Sequence, residues 1–464
     1  MNKSRSIDGS VLKRVFHGLG VNAYGQFVIA VIQLAGVPIL LKFWGTERYG
    51  EWLILFAIPS YLSMTDLGFS QSAGNDMTAR IARNDLSGAL RVFQSLSALV
   101  YLVVFIGLVL SALVAAFVPI RALFHFSILS SEQIRWILWL LSAEVLVKLA
   151  DGVNHAGFRS NGDYSLHVGI YYTTLLLQQS AVWLVAATGH GPLIAALLFF
   201  VIRAVATPSV AALLFHRHRF LRPGVAEANY QELRSLLKPA LATASMPLAQ
   251  AISVQGMALA VGAMLGPLAV VTFTVLRTLS RFALQLVWAV SHSIEPELAR
   301  AWGTQDTTLL QRLYVHSLRA GFWLALFAAI VLRLLGHGIV RWWTHGRVQM
   351  SVPLFDCLLL SAVASVFWYS GLNIVKAANR HLRGAAWYVM MSFVSVALAI
   401  ALLRLTGALV SAGFSLLIMD GLMAAYILRR ASSFSGIPIG ALLRDMLDLR
   451  IYARSIKHQI RRTR

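Results

Sequence analysis

The chain has 464 residues, of which 58% are hydrophobic and only 13% are charged, with a mean hydropathy of +0.69. Soluble domains carry about 25% charged residues, so this composition excludes an ordinary soluble protein and predicts an integral membrane protein. The net charge of +21 would suggest a nucleic-acid partner in a soluble protein, but membrane proteins concentrate Lys and Arg on the cytoplasmic side. One cysteine, Cys357, excludes an internal disulfide framework and offers no metal-ligand spacing.

The chain reads as a series of apolar stretches separated by short polar segments. The first stretch is far longer than the apolar core of a signal peptide, so we predict that it is a retained membrane span. Each stretch is long enough to cross about 30 Å of hydrocarbon as a helix. The twelve predicted spans are 15–41, 50–68, 92–118, 134–156, 164–187, 192–215, 238–262, 267–296, 316–335, 353–376, 385–404 and 407–429.

The distribution of basic residues predicts the orientation of these spans. With the N-terminus in the cytoplasm, the cytoplasmic segments hold 28 Lys and Arg residues and the outer segments hold 8. This bias favours twelve spans with both termini cytoplasmic. The excess positive charge then reflects topology and attraction to anionic lipid, and no nucleic-acid partner is needed to explain it.

A weak internal repeat divides the predicted spans into two halves. An Ala-Arg pair, an acidic residue and a second arginine follow span two (Arg80, Asp85, Arg91) and span eight (Arg300, Asp306, Arg312). A duplication predicts two six-helix lobes, 1–215 and 238–430, joined by a cytoplasmic linker at 216–237, with the substrate site between the lobes. The basic amphipathic segment 431–464 is predicted to lie on the cytoplasmic leaflet, and a partner-binding tail is the alternative.

Three arginines fall inside predicted spans, where a charge costs about 2.5–3.5 kcal/mol on insertion scales and usually marks a functional site. Arg277 and Arg281 are four residues apart and therefore share one helical face. Arg203 lies near the middle of span six. Guanidinium groups at this depth suit an anionic ligand, because their planar fork binds phosphate oxygens bidentately. The face of Arg277 continues through Trp288, His292 and Glu295.

Structural ion pairing is the alternative for all three arginines. Acidic partners are available within the spans at Glu144, Asp151 and Asp420. Span four carries Glu144, Lys148, Asp151 and His155 at helical spacing, so this helix can also neutralise itself locally. The functional interpretation makes Lys148 a further ligand for the anion. It makes Glu144, Asp151 and Asp420 candidate sites for a coupling proton or cation.

Amide side chains in the first span are candidates for contact with sugar hydroxyls. Asn22 and Gln26 lie on the same sparse polar face of this span. Packing between helices is the alternative role for such residues. The chain has no Walker A, dinucleotide, HExxH or GxSxG pattern, and its longest linker between spans is about twenty residues. We therefore predict no enzyme activity, no catalytic residue, no cofactor and no metal.

Two stretches resemble one transporter family. The run RYGEWLILFAIPSYLSMTDLGFSQS with the following ARIARND, and the run GPLAVVTFTVLRTLSRFALQLVWAVSHSIEPELAR, are similar to the polysaccharide-transport (Wzx-like) branch of the multidrug/oligosaccharidyl-lipid/polysaccharide exporter superfamily. The resemblance covers essentially the whole chain. It implies an all-α, MATE-like fold of twelve transmembrane helices in two six-helix lobes around a central cavity.

The same resemblance implies a function in the bacterial inner membrane. The expected activity is a flippase that translocates polyprenyl-pyrophosphate-linked oligosaccharide, by alternating access, for O-antigen, lipopolysaccharide or exopolysaccharide assembly. Its expected partners are this lipid-linked glycan, membrane lipid, a coupling proton or cation, and polysaccharide assembly proteins. Two alternatives stay open: a drug/cation antiporter of the same fold, and a membrane polysaccharide polymerase or ligase whose chemistry would need the outer segment 336–352.

Overall fold

The computed structural model describes the backbone of residues 9–62, 68–378, 380 and 382–447. Within this range the side chains of 9–19, 238, 242–243, 283, 286–293 and 296 lie outside the described set. The described chain is built from α-helices and one π-helical turn, Ile252–Gly256. In chain order the helices are α1 (Gly9–Ser60), α2 (Phe69–Ala82), α3 (Leu86–Phe117), α4 (Ile120–Leu123), α5 (Ser131–Ser160), α6 (Tyr164–Ala187), α7 (Pro192–Arg217), α8 (Tyr230–Ala251), α9 (Met257–Leu265), α10 (Pro267–Gly303), α11 (Thr307–Trp343), α12 (Val352–Ala377), α13 (Leu382–Thr406), α14 (Val410–Ser435) and α15 (Ile439–Leu447).

Helix α1 contains the first predicted span and most of the second, and it bends between them. The bend is at Gly45, whose φ of 76° and ψ of 176° are not helical. This backbone region is essentially restricted to glycine, which has no Cβ to clash. Beyond the bend, Gly50 lies so close to the start of α10 that a Cβ there would be 2.4 Å from the carbonyl oxygen of Pro267.

The predicted spans coincide with described helices, apart from the end of span two, where residues 63–67 lie outside the description. Eight described helical segments are long and apolar enough to cross a membrane. One of these eight, Gly20–Ser60, covers most of spans one and two. Helices α5 and α6 have 30 and 24 residues but are not among them, and α10 has 37 residues whose side chains are only partly described. The described residues therefore support a multi-pass membrane protein, and twelve spans with cytoplasmic termini stay a prediction.

The chain forms two compact units. The first comprises Met1–Val271 with Trp343–Val348, and the second comprises Thr272–Trp342 with Gln349–Arg464. The predicted linker 216–237 precedes the division at Val271 and belongs to the first unit, where it lies against α3. Glu227 N donates to the side-chain oxygen of Gln94 at 2.7 Å, and Asn229 N donates to Ser95 Oγ at 2.8 Å. The predicted lobe boundaries stay a prediction.

The first unit has an apolar core between α2, α3, α5, α7 and α8. Its members recur every three or four residues along these helices, so each helix buries one continuous face. Leu146 of α5 also packs closely on α3, where a Cβ at Gly107 would lie 2.5 Å from it. The core includes Ala73, Met77, Val92, Leu96, Val100, Leu146, Leu149, Val153, Leu214, Leu236 and Ala240.

The second unit has its own core, which includes the start of the predicted C-terminal tail. Helix α15 buries Leu442 and Met446 in this core together with Leu298, Tyr314, Leu318, Val366, Ile374 and Ala431. Arg319 of α11 donates to the carbonyl oxygen of Asp445, and Trp323 Nε1 donates to that of Met446 at 3.1 Å. Residues 448–464 lie outside the described residues, so the placement of the tail on the leaflet stays a prediction.

The two segments of the internal repeat adopt the same turn. A residue with positive φ, Asn84 at 61° and Gln305 at 56°, precedes an aspartate in each case. Asp85 Oδ1 accepts from Gly88 N at 2.8 Å and caps α3, and Asp306 Oδ1 accepts from Leu309 N at 2.9 Å and caps α11. In both segments a residue with positive φ follows one helix, and the aspartate after it caps the next helix. This shared geometry favours an internal duplication.

Candidate functional site

Helix α5 carries the polar residues predicted on span four. It begins with a capping box in which Ser130 and Gln133 bind each other's backbone N–H groups. Glu144 and Asp151 are each 5% exposed, so both carboxylates lie inside the first unit. The four-, three- and four-residue spacing of Glu144, Lys148, Asp151 and His155 places them along one face of α5.

Helix α6 carries a matching polar face that the sequence analysis missed. Its members, His167, Tyr171, Thr174 and Gln178, have the same four-, three- and four-residue spacing as those of α5. His167, Thr174 and Gln178 are buried. The turn between the two helices includes Gly162, which has a positive φ of 85°. The two faces can therefore pair along antiparallel helices.

The pairs between these faces form what we call the α5–α6 seam: Glu144, Lys148, Asp151 and His155 with Gln178, Tyr171 and His167. Gln178 Nε2 donates to Glu144 Oε1 at 3.0 Å. The Lys148 ammonium is 5.6 Å from the centroid of the Tyr171 ring. His167 Nε2 is 3.3 Å from Asp151 Oδ1, and its Nδ1 is 3.1 Å from His155 Nδ1. Every polar residue of α5 in the seam thus meets a polar group of α6.

Arg203 of α7 binds the seam from a third helix. Its side chain is 2% exposed, and its Nε is 3.2 Å from Glu144 Oε1. Its Nη2 donates to Gln178 Oε1 at 2.9 Å, and its Nη1 is 3.9 Å from Asp151 Oδ2. This is the ion-pairing arrangement that the sequence left open as the alternative. A role for Arg203 in binding an anionic substrate stays a prediction.

A cavity of about 440 Å³ opens beside the seam within the first unit. This volume is in the range of about 300–1,000 Å³ that is typical of small-molecule sites. Lys148 also lines a smaller cavity of about 110 Å³ together with Glu144 and Arg203. The larger cavity is lined by Asn22, Ser70, Gln71, Lys148, Leu149, Asp151, Gly152, His155, Tyr164, His167, Val168, Tyr171 and Tyr172.

Helix α1 contributes Asn22 to the cavity. This helix lies close to α6 at Gly25, where a Cβ would be 2.2 Å from the Tyr172 ring. Tyr24 Oη and Thr173 Oγ1 are 3.0 Å apart and link the same two helices. Gln26 is exposed and does not line this cavity. The structure therefore brings Asn22 together with Lys148 and Asp151, but it does not bring Gln26 to them.

The second unit holds the other two predicted arginines on α10. Arg277 and Arg281 are both partly buried, and the Arg277 guanidinium is 5.5 Å from the centroid of the Phe273 ring. Both arginines interact electrostatically with Asp420 of α14. Further along the same predicted face, Glu295 Oε1 is 3.4 Å from Lys376 Nζ. The side chains of Trp288 and His292 lie outside the described residues.

Asp420 accepts hydrogen bonds from two residues of α12 that sequence analysis does not reveal. Its side chain is 6% exposed. Trp368 Nε1 donates to Asp420 Oδ1 at 2.9 Å, and the Ser361 hydroxyl donates to Oδ2. The carboxylate is therefore both hydrogen-bonded and close to two cations, as buried polar groups usually are.

Comparison with known proteins identifies the fold. No family model and no curated protein matches the chain. Among solved structures, the chain is similar to an inward-facing multidrug resistance MATE family transporter of the MOP superfamily, with a TM-score of 0.72 and 14% identity over 89% of this chain and 95% of that one. It is similar to a MATE transporter in the bent conformation, with a TM-score of 0.61 and 14% identity over 96% of this chain and 100% of that one. It is also similar to the lipid II flippase MurJ in an inward closed conformation, with a TM-score of 0.68 and 12% identity over 93% of this chain and 90% of that one. The chain therefore has the fold of MOP-superfamily transporters.

Proposed function

We propose that the chain is a flippase that translocates polyprenyl-pyrophosphate-linked oligosaccharide, an O-antigen or exopolysaccharide repeat unit, from the cytoplasmic to the periplasmic leaflet of the inner membrane. The observation that carries the proposal is the pair Arg277 and Arg281, four residues apart on one long helix of the second unit. A fold shared with both a lipid flippase and multidrug transporters is compatible with this activity.

The arginine pair fits the pyrophosphate group of such a substrate. Both guanidinium groups interact with a single carboxylate, Asp420, which already accepts hydrogen bonds from Trp368 and Ser361. Two adjacent guanidinium groups offer paired N–H donors that match neighbouring phosphate oxygens. The prenyl chain of the substrate would stay in the lipid.

The first unit fits the remaining parts of the transport cycle. In this proposal Asn22 and Lys148 contact the oligosaccharide from the cavity, with Gln26 following on the same face of α1. Arg203 holds Glu144 and Gln178 in place, because these three side chains are buried against one another. Glu144, Asp151 and Asp420 remain the proposed sites for a coupling proton or cation, and assembly proteins for the polysaccharide are the proposed partners.

The charges of the cavity bear on the drug/cation antiporter alternative. A site for lipophilic cations needs a surplus of negative charge. The lining of the first unit's cavity contains one lysine, Lys148, and one carboxylate, Asp151. The cluster of the second unit, formed by Arg277, Arg281 and Asp420, pairs two arginines with one carboxylate. Among the described residues, neither cluster has a surplus of carboxylates, so the geometry favours a glycan-linked anion.

The proposal is tested by the leaflet in which the lipid-linked oligosaccharide resides in a deletion strain. In intact cells of this strain, a membrane-impermeant glycan label should not reach the oligosaccharide, because the oligosaccharide stays on the cytoplasmic leaflet. Wild-type protein should restore labelling from the periplasmic side. Arg277→Gln/Arg281→Gln should not restore it at normal protein levels, whereas Arg404→Gln, on an exposed arginine of α13, should. Restoration by the double variant would contradict the proposal.

A further inference from the structure

The cavity of the first unit combines aromatic rings with hydrogen-bonding groups, and neither the fold nor the arginine pair explains this combination. We propose that it is a sugar-binding subsite that takes one neutral hexopyranose ring of the transported oligosaccharide. The inference rests on the proposed function, because it names the part of that substrate which the first unit recognises.

The aromatic part of the lining comes from three tyrosines of α6. The rings of Tyr171 and Tyr172 meet edge to face with centroids 5.3 Å apart, and the Tyr164 ring is 5.7 Å from that of His155. A pyranose ring has a face of C–H groups and a rim of hydroxyls. Tyrosine suits both surfaces, because its ring is apolar and its hydroxyl donates and accepts hydrogen bonds. Three such side chains along one wall offer a surface against which a sugar ring can lie.

The polar part of the lining contains both donors and acceptors. The Asn22 and Gln71 amides can each donate and accept, Lys148 donates and Asp151 accepts. Sugar hydroxyls also do both, so they can match a mixed set of groups better than a uniformly acidic or basic one. The volume of about 440 Å³ is at the small end of the usual ligand range, which fits a single ring and its linkage better than a whole repeat unit.

The charges around the cavity favour a neutral sugar over a uronic acid or a cation. The charged pairs are already matched within the unit. Arg203 is 3.2 Å from Glu144 and 3.9 Å from Asp151, and Lys148 interacts electrostatically with Glu144. Two cations therefore meet two carboxylates. An acidic sugar or a lipophilic cation would compete with one of these buried pairs, whereas a hydroxyl-rich neutral ring leaves them intact.

The test measures binding of small glycosides to the purified full chain in lipid nanodiscs by saturation-transfer NMR. The probes are methyl glucoside, methyl galactoside, methyl N-acetylglucosaminide, methyl galacturonate as the acidic sugar, and tetraphenylphosphonium as the lipophilic cation. At least one of the three neutral glycosides should bind saturably and more tightly than methyl galacturonate and tetraphenylphosphonium. Asn22→Leu and Tyr171→Leu should each weaken its binding by about tenfold or more, the effect of losing one well-placed contact.

Two further variants separate recognition from folding. Tyr101→Leu removes a tyrosine that is 50% exposed on α3 and outside the cavity, so it should bind the glycoside like wild type. Tyr171→Phe keeps the ring and removes only the hydroxyl, so it should fold normally and lose part of the affinity. The proposal is overturned if no neutral glycoside binds saturably, if Asn22→Leu and folded Tyr171→Phe bind like wild type, or if the two cavity variants weaken only tetraphenylphosphonium. If glycoside binding behaves as expected but Arg277→Gln/Arg281→Gln still exports glycan, the sugar subsite stands and the proposed site for pyrophosphate falls.

Discussion

Arg203 shows how a charge in the middle of an apolar helix is stabilised inside this protein. The guanidinium contacts a carboxylate and an amide that come from two other helices, and all three side chains are buried. A buried ion pair of this kind is not by itself a large source of stability, because removing two charges from water is costly. Leaving one of the two charges without its partner is much worse.

Replacing one partner of this pair should therefore destabilise the protein more than replacing both. We expect Arg203→Met alone to lower the free energy of unfolding by about 3–5 kcal/mol, because Glu144 stays buried without its guanidinium partner. The double variant Glu144→Gln/Arg203→Met should recover much of this loss. The measurement is the thermal midpoint in detergent, with Arg404→Met as the exposed control. Additive effects of the two substitutions, or a wild-type midpoint for Arg203→Met, would contradict this explanation.

The residues of the two clusters differ in how far sequence could reveal them. Charged side chains in apolar stretches are conspicuous, so Glu144, Lys148 and Asp420 were identified as candidates, and ion pairing was named as the alternative for Arg203. Trp368 and Ser361 gave no signal, because tryptophan and serine are ordinary in membrane helices. Their contact with Asp420 depends on how α12 packs on α14, which local sequence does not specify.

At the scale of elements, the α5–α6 seam shows a pattern that could have been found. The polar faces of both helices follow the same four-, three- and four-residue spacing, and the spacing alone predicts a face on each. The face on α5 was identified because it is charged. The face on α6 consists of His167, Tyr171, Thr174 and Gln178, whose lower transfer cost makes them less conspicuous in an apolar segment. Periodicity, rather than charge, is the signal that would have revealed it.

The repeated turn before α3 and before α11 leads to a prediction about pH. The Asp85 carboxylate accepts hydrogen bonds from Gly88 N and from the Ser87 hydroxyl, and Arg80 lies nearby. These interactions lower the pKa of the Asp85 carboxyl below its ordinary value of 3.8. A carboxyl whose pKa is lowered on folding stabilises the folded state above the unfolded pKa, and this contribution is lost as the pH falls through the folded pKa. The cap should therefore contribute fully at neutral pH and fade below about pH 4.

Asp85→Ala should lower the thermal midpoint at pH 7, because α3 loses its cap. The difference from wild type should shrink as the pH falls below 3.8, where the wild-type carboxyl becomes protonated. Asp85→Asn is the matched control, since asparagine caps a helix without a titrating group, and its midpoint should stay near that of wild type at pH 7. If the decrease in thermal midpoint caused by Asp85→Ala does not depend on pH, the charge of the Asp85 carboxylate contributes nothing to stability.

For the whole molecule, composition predicted the class correctly, and the helices follow the predicted spans closely. Span eight lies on α10, whose side chains are only partly described. The other differences between the eight apolar segments and the twelve predicted spans have two physical reasons. Two predicted spans join across the bend at Gly45, and two others lie on α5 and α6, which carry the polar residues of the seam. A helix that lines a polar site is less apolar than one that only faces lipid, so hydropathy undercounts these helices.

The orientation of the chain is tested by labelling single cysteines from each side of the membrane. In a Cys357→Ser background, Ser131→Cys in a predicted outer segment should react with an impermeant maleimide added to intact cells. Ala226→Cys in the predicted cytoplasmic linker should react only after the membrane is opened. Both positions are exposed, so a difference in reactivity reports the side of the membrane. Labelling of Ala226→Cys from outside would reverse the predicted topology.

The most direct measurement of the central claim is translocation of a fluorescent polyprenyl-pyrophosphate-linked disaccharide in proteoliposomes, followed by an impermeant quencher. Wild-type protein should expose the lipid-linked sugar to the quencher from the opposite leaflet, and Arg277→Gln/Arg281→Gln should not. Arg277→Lys/Arg281→Lys should keep part of the rate, because it retains the charge but not the bidentate fork. A wild-type protein that moves tetraphenylphosphonium but not the lipid-linked disaccharide would contradict the account and show a cation transporter instead.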